Sequence, residues 1–318
     1  MNLEDINIER ELKVVFMGTP DFSVPILEML IKNYNVKAVV TQPDKQVGRG
    51  GKVIFSPVKK CAESHTILVL QPKKIDSIID ELTDMAPDLI VTAAYGQIIP
   101  NSILKLPRLG CINVHASLLP KLRGGAPIHR AIMNGMKETG ITIMHMNSEM
   151  DAGDIISQQS VEISDTDTAS ILHDKLMYMG ADLLEKTLPS IINGTATRTA
   201  QDSSLATFGF IIKRDDEKIS FEKTKKEIYN QIRGLNSWPG SYCLLDGKIL
   251  KVWESRITDN FFPEYFNGRI TAVYEDGFGV KVDNGEVVFT KVQLEGKNAM
   301  SGRDFINGHS DLIGKVLN

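Results

Sequence analysis

Short apolar runs alternate with amphipathic stretches over the first 195 or so residues of the chain. The apolar runs show little alternation with polar residues, and turns or helical periods separate them. Near-continuous apolar strands bounded by helices are typical of a parallel sheet that is covered on both faces. The pattern therefore predicts an α/β fold, with strands at 12–18, 36–41, 66–70, 88–96 and 110–116.

A predicted hairpin and several helical periods add to this prediction of the fold. Two later apolar runs, 140–146 and 154–163, are joined by a short acidic loop and predict a hairpin at one side of the sheet. Together with the helices, they indicate a Rossmann-like, mostly parallel sheet with helices on both faces. Helices are predicted at 21–33, 75–85 and 169–194, and from Pro127 to just before Gly135.

The pattern changes after residue 194. The stretch 195–212 begins rich in Thr, Ser and Ala and lacks an apolar period, which indicates a linker. One helix and a series of short strands follow, and the hairpin signals Asp246-Gly247, Asp276-Gly277 and Asn284-Gly285 separate the strands. This spacing predicts a small antiparallel OB-like β-barrel. The predicted domains are therefore 1–194, with a linker at 195–212, and 213–318.

Composition limits the function classes. The chain has 318 residues, 42% apolar and 24% charged, and a net charge of −4. A globally basic nucleic-acid binder is not indicated, although a local basic patch stays possible. No apolar run reaches the roughly 18 to 20 residues of a membrane span. The polar N-terminus does not resemble a signal peptide, and three scattered cysteines are too few for a disulfide framework. We therefore expect a cytoplasmic protein.

Two polar residues interrupt the apolar strand at 110–116. Asn113 and His115 are two positions apart, so their side chains share one face of the strand. Ligands of open α/β sheets bind beyond the carboxyl ends of the strands, where this strand ends. His115 is suited to proton transfer, and the Asn113 amide to stabilising an oxyanion. The alternative, a core histidine beside an asparagine that bonds local backbone, stays open on position alone.

Asp151 lies in the segment MDAGD, which enters a later strand. It is a candidate for orienting His115, as a carboxylate does for a catalytic imidazole. The competing interpretation is a structural turn, since Asp and Gly favour turns. A metal site is not predicted, because one histidine with one or two carboxylates falls short of the usual ligand sets.

Two glycine-containing segments are candidates for phosphate-binding loops. The segment GTPDF at 18–22 lacks the Gly-x-Gly-x-x-Gly spacing, which argues against a nicotinamide-dependent oxidoreductase. The segment 41–60 carries Lys45, Arg49 and Lys52 around three glycines. It is either a solvated flexible loop or a loop that contacts phosphate.

Several motifs in the same order resemble the family of 10-formyltetrahydrofolate-dependent formyltransferases. They are VVFMGTPDFSVPIL, TQPDKQVGRG, AYGQIIP, INVHASLLP followed by RGGAPI, MDAGDII and, in the second domain, RGLNSWPGSY. The resemblance covers nearly the whole chain and is strongest with the branch that acts on initiator methionyl-tRNA. It implies formyl transfer from 10-formyltetrahydrofolate to the α-amino group of methionine on that tRNA, without a metal.

The resemblance also implies roles for individual residues. Asn113, His115 and Asp151 match the catalytic positions of the family. The loop at 41–60 matches one that inserts near the tRNA acceptor end, and the OB-like domain would bind tRNA. Tetrahydrofolate would be bound by Ser117, Leu118, Leu119 and Pro120, with further contacts from Tyr95 and Gly96, and tRNA by Lys45, Arg49 and Lys52.

Two alternatives stay open. The first is a formyltransferase that acts on a sugar-nucleotide amine or on glycinamide ribonucleotide, because the same catalytic residues would serve it. The second is a non-catalytic folate- or RNA-binding module, which would not need Asn113, His115 and Asp151 together. We expect the chain to act as a monomer.

Overall fold

A computed structural model describes residues 11–47 and 51–318 of the chain. The structure divides into two compact units. The first contains the described residues up to Pro127 together with 139–161 and 173–209, and the second contains 128–138, 162–172 and 210–318. Two short stretches of the predicted N-terminal domain therefore group with the second unit. The boundaries 1–194, 195–212 and 213–318 stay a prediction.

A seven-stranded, mostly parallel sheet organises the first unit, as the apolar pattern predicts. Its strand order is β5-β2-β1-β6-β7-β8-β9. The five strands from β5 to β7 run parallel, and β8 pairs antiparallel with β7. The strands are β1 (Lys13–Gly18), β2 (Asn35–Val40), β5 (Leu68–Leu70), β6 (Leu89–Ala93), β7 (Cys111–His115), β8 (Glu138–His145) and β9 (Ile155–Glu162).

The helices predicted at 21–33, 75–85 and 169–194 and from Pro127 are present, and two short helices that were not predicted lie at Pro57–Ser64 and Asn101–Leu104. In the first helix, Ile26, Leu27 and Leu30 are fully buried and form one apolar face, as an amphipathic period requires. Short 3-10 turns precede two of the helices, at Asp21–Ser23 and Ile75–Ile78. The helices are α1 (Val24–Asn33), α2 (Pro57–Ser64), α3 (Ile79–Met85), α4 (Asn101–Leu104), α5 (Pro127–Met133) and α6 (Ala169–Ile192).

The segment 41–60 contains a hairpin, which the sequence pattern did not predict. Strands β3 (Lys45–Val47) and β4 (Lys52–Ile54) pair antiparallel. Lys59 anchors the base of this hairpin, because its ammonium group donates to Asp44 Oδ2 at 2.6 Å and to Gln71 Oε1 at 2.8 Å. The described part of this segment is therefore an antiparallel hairpin, and the choice between a solvated loop and a phosphate-contacting loop stays a prediction.

The second unit is built around an antiparallel sheet of six strands. The order is β10-β11-β14-β13-β12, with β15 beside β14. Each of the three predicted Asp-Gly and Asn-Gly signals joins two strands that pair antiparallel, so those turns are confirmed. The elements are β10 (Ser241–Leu245), β11 (Lys248–Thr258), β12 (Ile270–Val273), β13 (Phe278–Val282), β14 (Gly285–Leu294) and β15 (Met300–Ser301), with helices α7 (Arg214–Glu217), α8 (Lys225–Gly234) and α9 (Gly302–Asn307).

The last residues of the chain link the two edge strands of this sheet. Leu244 in β10 exchanges two backbone hydrogen bonds with Asn318, at 2.6 and 3.0 Å. On the other side, Ile270 in β12 donates to Lys315 O at 2.8 Å and accepts from Gly314 N at 2.9 Å. The C-terminal segment therefore covers both sheet edges with backbone partners, as a barrel-like domain requires.

The core of the second unit lies inside this sheet. It contains a cluster of large aromatic side chains, in which the Phe278 ring lies 5.7 Å from Phe289 and 5.9 Å from Phe305. Among residues 11–47 and 51–318, no helix combines the length and apolar character that a bilayer crossing needs.

Candidate active site

The site begins at the carboxyl end of β7. Asn113 pairs with Thr92 of the neighbouring parallel strand β6. The Thr92 hydroxyl lies 2.8 Å from Asn113 Oδ1 and donates to it. The hydroxyl alone could face either end of the amide, but the Asp151 carboxylate on the other side can only accept, so Nδ2 faces Asp151 and Oδ1 faces Thr92. Thr92 is buried, so the chain supplies a rigid donor that the sequence pattern did not single out.

His115 is the last residue of β7 and is only 6% exposed. Its Nε2 lies 3.0 Å from the carbonyl oxygen of Leu122, which can only accept. Nε2 therefore carries the proton of the neutral imidazole, and Nδ1 is the basic nitrogen. A backbone carbonyl seven residues further along the chain thus selects the tautomer of His115.

Asp151 approaches both side chains of β7. Its Oδ2 lies 3.8 Å from His115 Nδ1, and its Oδ1 accepts from Asn113 Nδ2 at 3.5 Å. The first distance is too long for a hydrogen bond but allows a close ion pair when the imidazole is protonated. The backbone N–H of Gly124 donates to Asp151 Oδ2 at 2.8 Å and holds the carboxylate. The three residues predicted from sequence are therefore in one place.

The turn that carries Asp151 depends on a close backbone approach. Asp151 has φ of +51°, in the left-handed region that Asp tolerates better than most residues. A Cβ atom on Gly153 would lie 1.9 Å from the carbonyl oxygen of His145. No side chain fits at that distance, so Gly153 lets the turn pack against the end of β8.

The segment Ser117–Pro120 continues directly from β7 and forms a compact turn. The Ser117 hydroxyl donates to Lys121 O at 2.6 Å, and the Thr142 hydroxyl donates to Ser117 O at 2.6 Å. Gln158 Nε2 donates to Leu119 O at 2.9 Å. Because these polar groups already have partners within the protein, the segment offers a ligand mainly shape and apolar surface, from the half-buried Leu118 and Pro120.

Tyr95, one of the predicted folate contacts, has a buried side chain. Its side chain is 4% exposed and belongs to the core cluster of the first unit. Burial raises the pKa of Tyr95 to about 12, and its hydroxyl has no hydrogen-bond partner within the described residues. Its carbonyl oxygen accepts from the Thr19 hydroxyl at 3.0 Å and from Gln42 Nε2 at 3.1 Å. Any ligand contact here would come from backbone, including that of Gly96 at φ of +89°.

The three basic residues of the segment 41–60 are described unequally. Lys45 is exposed at the start of β3, and Lys52 begins β4. Arg49 lies outside the described residues. Within the described part of the chain, the hydrogen bonds of Asn113, His115 and Asp151 go to residues outside this hairpin, and no group of three His, Cys, Asp or Glu side chains is placed to hold a metal ion.

Comparison with known proteins gives consistent matches along the chain. Residues 12–188 match the profile described as formyl transferase, and residues 211–310 match the formyl transferase C-terminal domain. The chain is 51% identical over 310 residues to a methionyl-tRNA formyltransferase of Bacillus cereus, with 96% of this chain and 98% of that protein covered. It is 48% identical over 310 residues to the protein of that name from Staphylococcus aureus, covering 96% and 99%.

Solved structures share the fold at lower identity. The sugar 3N-formyl transferase WlaRD, in a structure with dTDP and 5-N-formyl-THF, gives a TM-score of 0.65 at 23% identity, covering 91% of this chain and 100% of that one. HypX from Aquifex aeolicus, in complex with tetrahydrofolic acid, gives a TM-score of 0.65 at 15% identity, covering 95% and 48%.

Proposed function

Because the chain belongs to the formyl transferase family, we propose that it transfers the formyl group of 10-formyltetrahydrofolate to the α-amino group of methionine on initiator methionyl-tRNA. The observation that carries this choice of acceptor is the 48–51% identity, over 96% of the chain, to relatives named for it. The product is N-formylmethionyl-tRNA, which is used in translation initiation.

The reaction breaks one C–N bond and forms another. The methionine amine attacks the formyl carbon, and a tetrahedral intermediate with a negatively charged oxygen forms. The bond from this carbon to folate N10 then breaks, which restores the formyl carbonyl on the methionine nitrogen. One proton leaves the attacking amine and one proton reaches N10, so the products are the formylated tRNA and tetrahydrofolate. No oxidant, reductant or metal is required for this balance.

His115 is the proposed proton acceptor. Its Nε2–H is committed to the Leu122 carbonyl, so Nδ1 is available to take the proton from the attacking amine. The resulting imidazolium has the Asp151 carboxylate 3.8 Å from Nδ1. The carboxylate balances the charge of the imidazolium while His115 holds the proton for return to N10. Such a group contributes about 10²- to 10⁴-fold to the rate.

Asn113 is the proposed oxyanion donor. Thr92 bonds its Oδ1, and among the residues that the structure describes its Nδ2 group has only the long 3.5 Å contact with Asp151. An amide donor that is oriented but incompletely paired suits an oxygen that gains charge in the transition state. Removing one such donor typically costs about 10²- to 10³-fold in turnover.

Substrate contacts are proposed from the family positions. Ser117, Leu118, Leu119 and Pro120 would bind tetrahydrofolate through apolar surface, since the Ser117 hydroxyl and the carbonyl oxygens of Ser117 and Leu119 already have hydrogen-bond partners within the protein. Backbone at Tyr95 and Gly96 would add contacts to the pterin.

On the acceptor side, Lys45, Arg49 and Lys52 would contact phosphates near the tRNA acceptor end, where cationic side chains are suited to the backbone charge. The C-terminal OB-like domain would add tRNA affinity through one of its faces. From Lys213 to the last residue it has equal numbers of basic and acidic residues, so its binding face would depend on uneven placement of charge.

The cellular setting and the assembly are part of the proposal. Three free, buried cysteines fit a reducing cytoplasm, where initiator tRNA is used. We also propose that the chain acts as a monomer, which light scattering of the purified protein would test.

The deciding experiment compares acceptors with 10-formyltetrahydrofolate as donor. Initiator methionyl-tRNA, a sugar-nucleotide amine and glycinamide ribonucleotide are supplied separately, and the formylated product is quantified. We expect formylation of the tRNA alone. Formylation of a small amine without formylation of the tRNA would refute the proposed acceptor. Tight folate or RNA binding without turnover on any acceptor would instead support a non-catalytic module.

A further inference from the structure

Gln201 lies in the stretch predicted as a linker, yet it makes four hydrogen bonds to the loops that carry the site. Its Nε2 donates to the carbonyl oxygens of Asp151 at 2.9 Å and Gly153 at 2.7 Å. Its Oε1 accepts from Arg123 Nε at 3.1 Å and Nη2 at 2.8 Å. Both amide hydrogens and both acceptor positions are therefore used.

This arrangement permits one orientation of the Gln201 amide. Turning the amide over would bring Nε2 against a guanidinium group and Oε1 against two carbonyl oxygens. Arg123 cannot easily move away, because its side chain is buried at 5% exposure and its backbone bonds Thr207 and Gly209. Gln201 thus connects a fixed arginine to the turn that carries Asp151.

A second hydrogen bond connects the Arg123 segment directly to Asp151. Gly124, the residue after Arg123, donates its N–H to Asp151 Oδ2. The Asp151 turn is consequently held at its carboxylate by Gly124 and at its backbone carbonyl by Gln201. The carboxylate is 3.8 Å from His115 Nδ1, where a small rotation of the turn would change the separation of the charges substantially.

The same stretch also supports His115. The Thr207 hydroxyl accepts from Leu122 N at 2.9 Å, and the Thr207 carbonyl accepts from Arg123 N at 2.9 Å. Leu122 is the residue whose carbonyl selects the His115 tautomer. Thr199, at the start of this stretch, pairs with Ile155 through two backbone bonds of 2.8 and 2.9 Å. The residues from Thr199 to Gly209 are therefore bonded to the loops on both sides of the catalytic cluster.

We propose that Gln201 is a positioning residue for formyl transfer, which acts by holding the Asp151 turn at its working distance from His115. This inference rests on the proposed function for its kinetic readout. Gln201 would not touch either substrate. Its effect should therefore fall on turnover, and the KM values for folate donor and tRNA should stay nearly unchanged.

The first test is Gln201→Glu in the full chain. Glutamate keeps an acceptor for Arg123 but, when ionised, has no donor for the carbonyl oxygens of Asp151 and Gly153. We expect kcat to fall about 10- to 100-fold, because small displacements of catalytic groups lower the rate by such factors. Each KM should change less than about twofold. The matched control is Asp202→Ala, the adjacent exposed side chain that bonds only Ser204 in the described structure. It should keep wild-type kinetics, and wild-type kcat in Gln201→Glu would overturn the inference.

The second test asks whether Gln201 acts through Asp151. In an Asp151→Asn background, adding Gln201→Glu should cost little further turnover, because residues that act as a unit are strongly non-additive. A merely structural role would give the same fold-loss in both backgrounds and would overturn the inference. If Gln201→Glu does not fold, Gln201→Asn replaces it, since it retains the amide but is one methylene too short to span both partners.

A third readout does not depend on the acceptor. Amide hydrogen exchange of the peptide that contains Gly124 reports its bond to the Asp151 carboxylate. We expect faster exchange in Gln201→Glu than in wild type or Asp202→Ala, and unchanged exchange would refute the positioning role. Failure of the proposed function would appear separately, as a wild-type protein that formylates no methionyl-tRNA while this exchange difference persists.

Discussion

Replacing His115 separates the chemical role of its imidazole from its structural role. In His115→Gln, the side-chain amide can still donate to the Leu122 carbonyl, but no basic nitrogen remains near Asp151. In His115→Ala, both the donor and the base are lost. Comparison of the two variants therefore isolates proton transfer from packing.

The expected magnitudes follow from this geometry. Loss of a positioned proton acceptor should lower kcat about 10²- to 10⁴-fold in both variants, which corresponds to roughly 2.7–5.5 kcal/mol of transition-state stabilisation. Only His115→Ala leaves the Leu122 carbonyl without its donor, and Leu122 is 2% exposed. A buried acceptor left unpaired costs about 1–3 kcal/mol of unfolding free energy, to which the vacated volume adds.

The assay is single-turnover formylation of initiator methionyl-tRNA, together with tRNA binding and denaturant unfolding of each variant. We expect His115→Gln to bind tRNA and unfold nearly as wild type does, while both variants lose most turnover. Turnover close to wild type in His115→Gln would refute proton transfer by this residue. A loss of turnover confined to His115→Ala would assign His115 the structural role that position alone left open.

Three further changes test other parts of the structure. Gly153→Ala should lower kcat about 10²-fold, because the added Cβ would lie 1.9 Å from the His145 carbonyl and displace the Asp151 turn; unchanged kcat would contradict this. Burial and the nearby Arg198 lower the pKa of His145, so the unfolded chain binds more protons near pH 6. Unfolding free energy should therefore fall as pH drops through about 6.5, and urea titrations of His145→Gln should show a weaker pH dependence. Arg49→Ala should weaken tRNA use far more than folate binding in steady-state assays, and equal losses would refute the tRNA role.

Much of the fold was predictable because its signals are local. Runs such as Leu89–Ala93 are apolar at almost every position, and the structure has strands there. The three Asp-Gly and Asn-Gly pairs join antiparallel strands of the second unit. The apolar period and the turn-forming residues each involve only a few consecutive residues, so they can be recognised without knowledge of the rest of the chain.

The face that Asn113 and His115 share was also a local inference, since strand geometry alone determines it. The family resemblance then brought in Asp151, 38 residues further along the chain from Asn113. Neither the period nor the motif indicated that Leu122 selects the His115 tautomer or that Thr92 bonds the Asn113 amide. Those bonds join residues on different strands and loops.

Only the tertiary structure therefore determined the packing and the hydrogen bonds around the predicted residues. Tyr95 stands in a glycine-containing loop, and only packing determines that its side chain turns into the core. The polar stretch containing Gln201 has no period, so its pattern indicated a linker, although its side chain makes four hydrogen bonds to the loops of the site. Single long-range hydrogen bonds from irregular segments leave no repeating pattern in a sequence, and only the folded chain defines them.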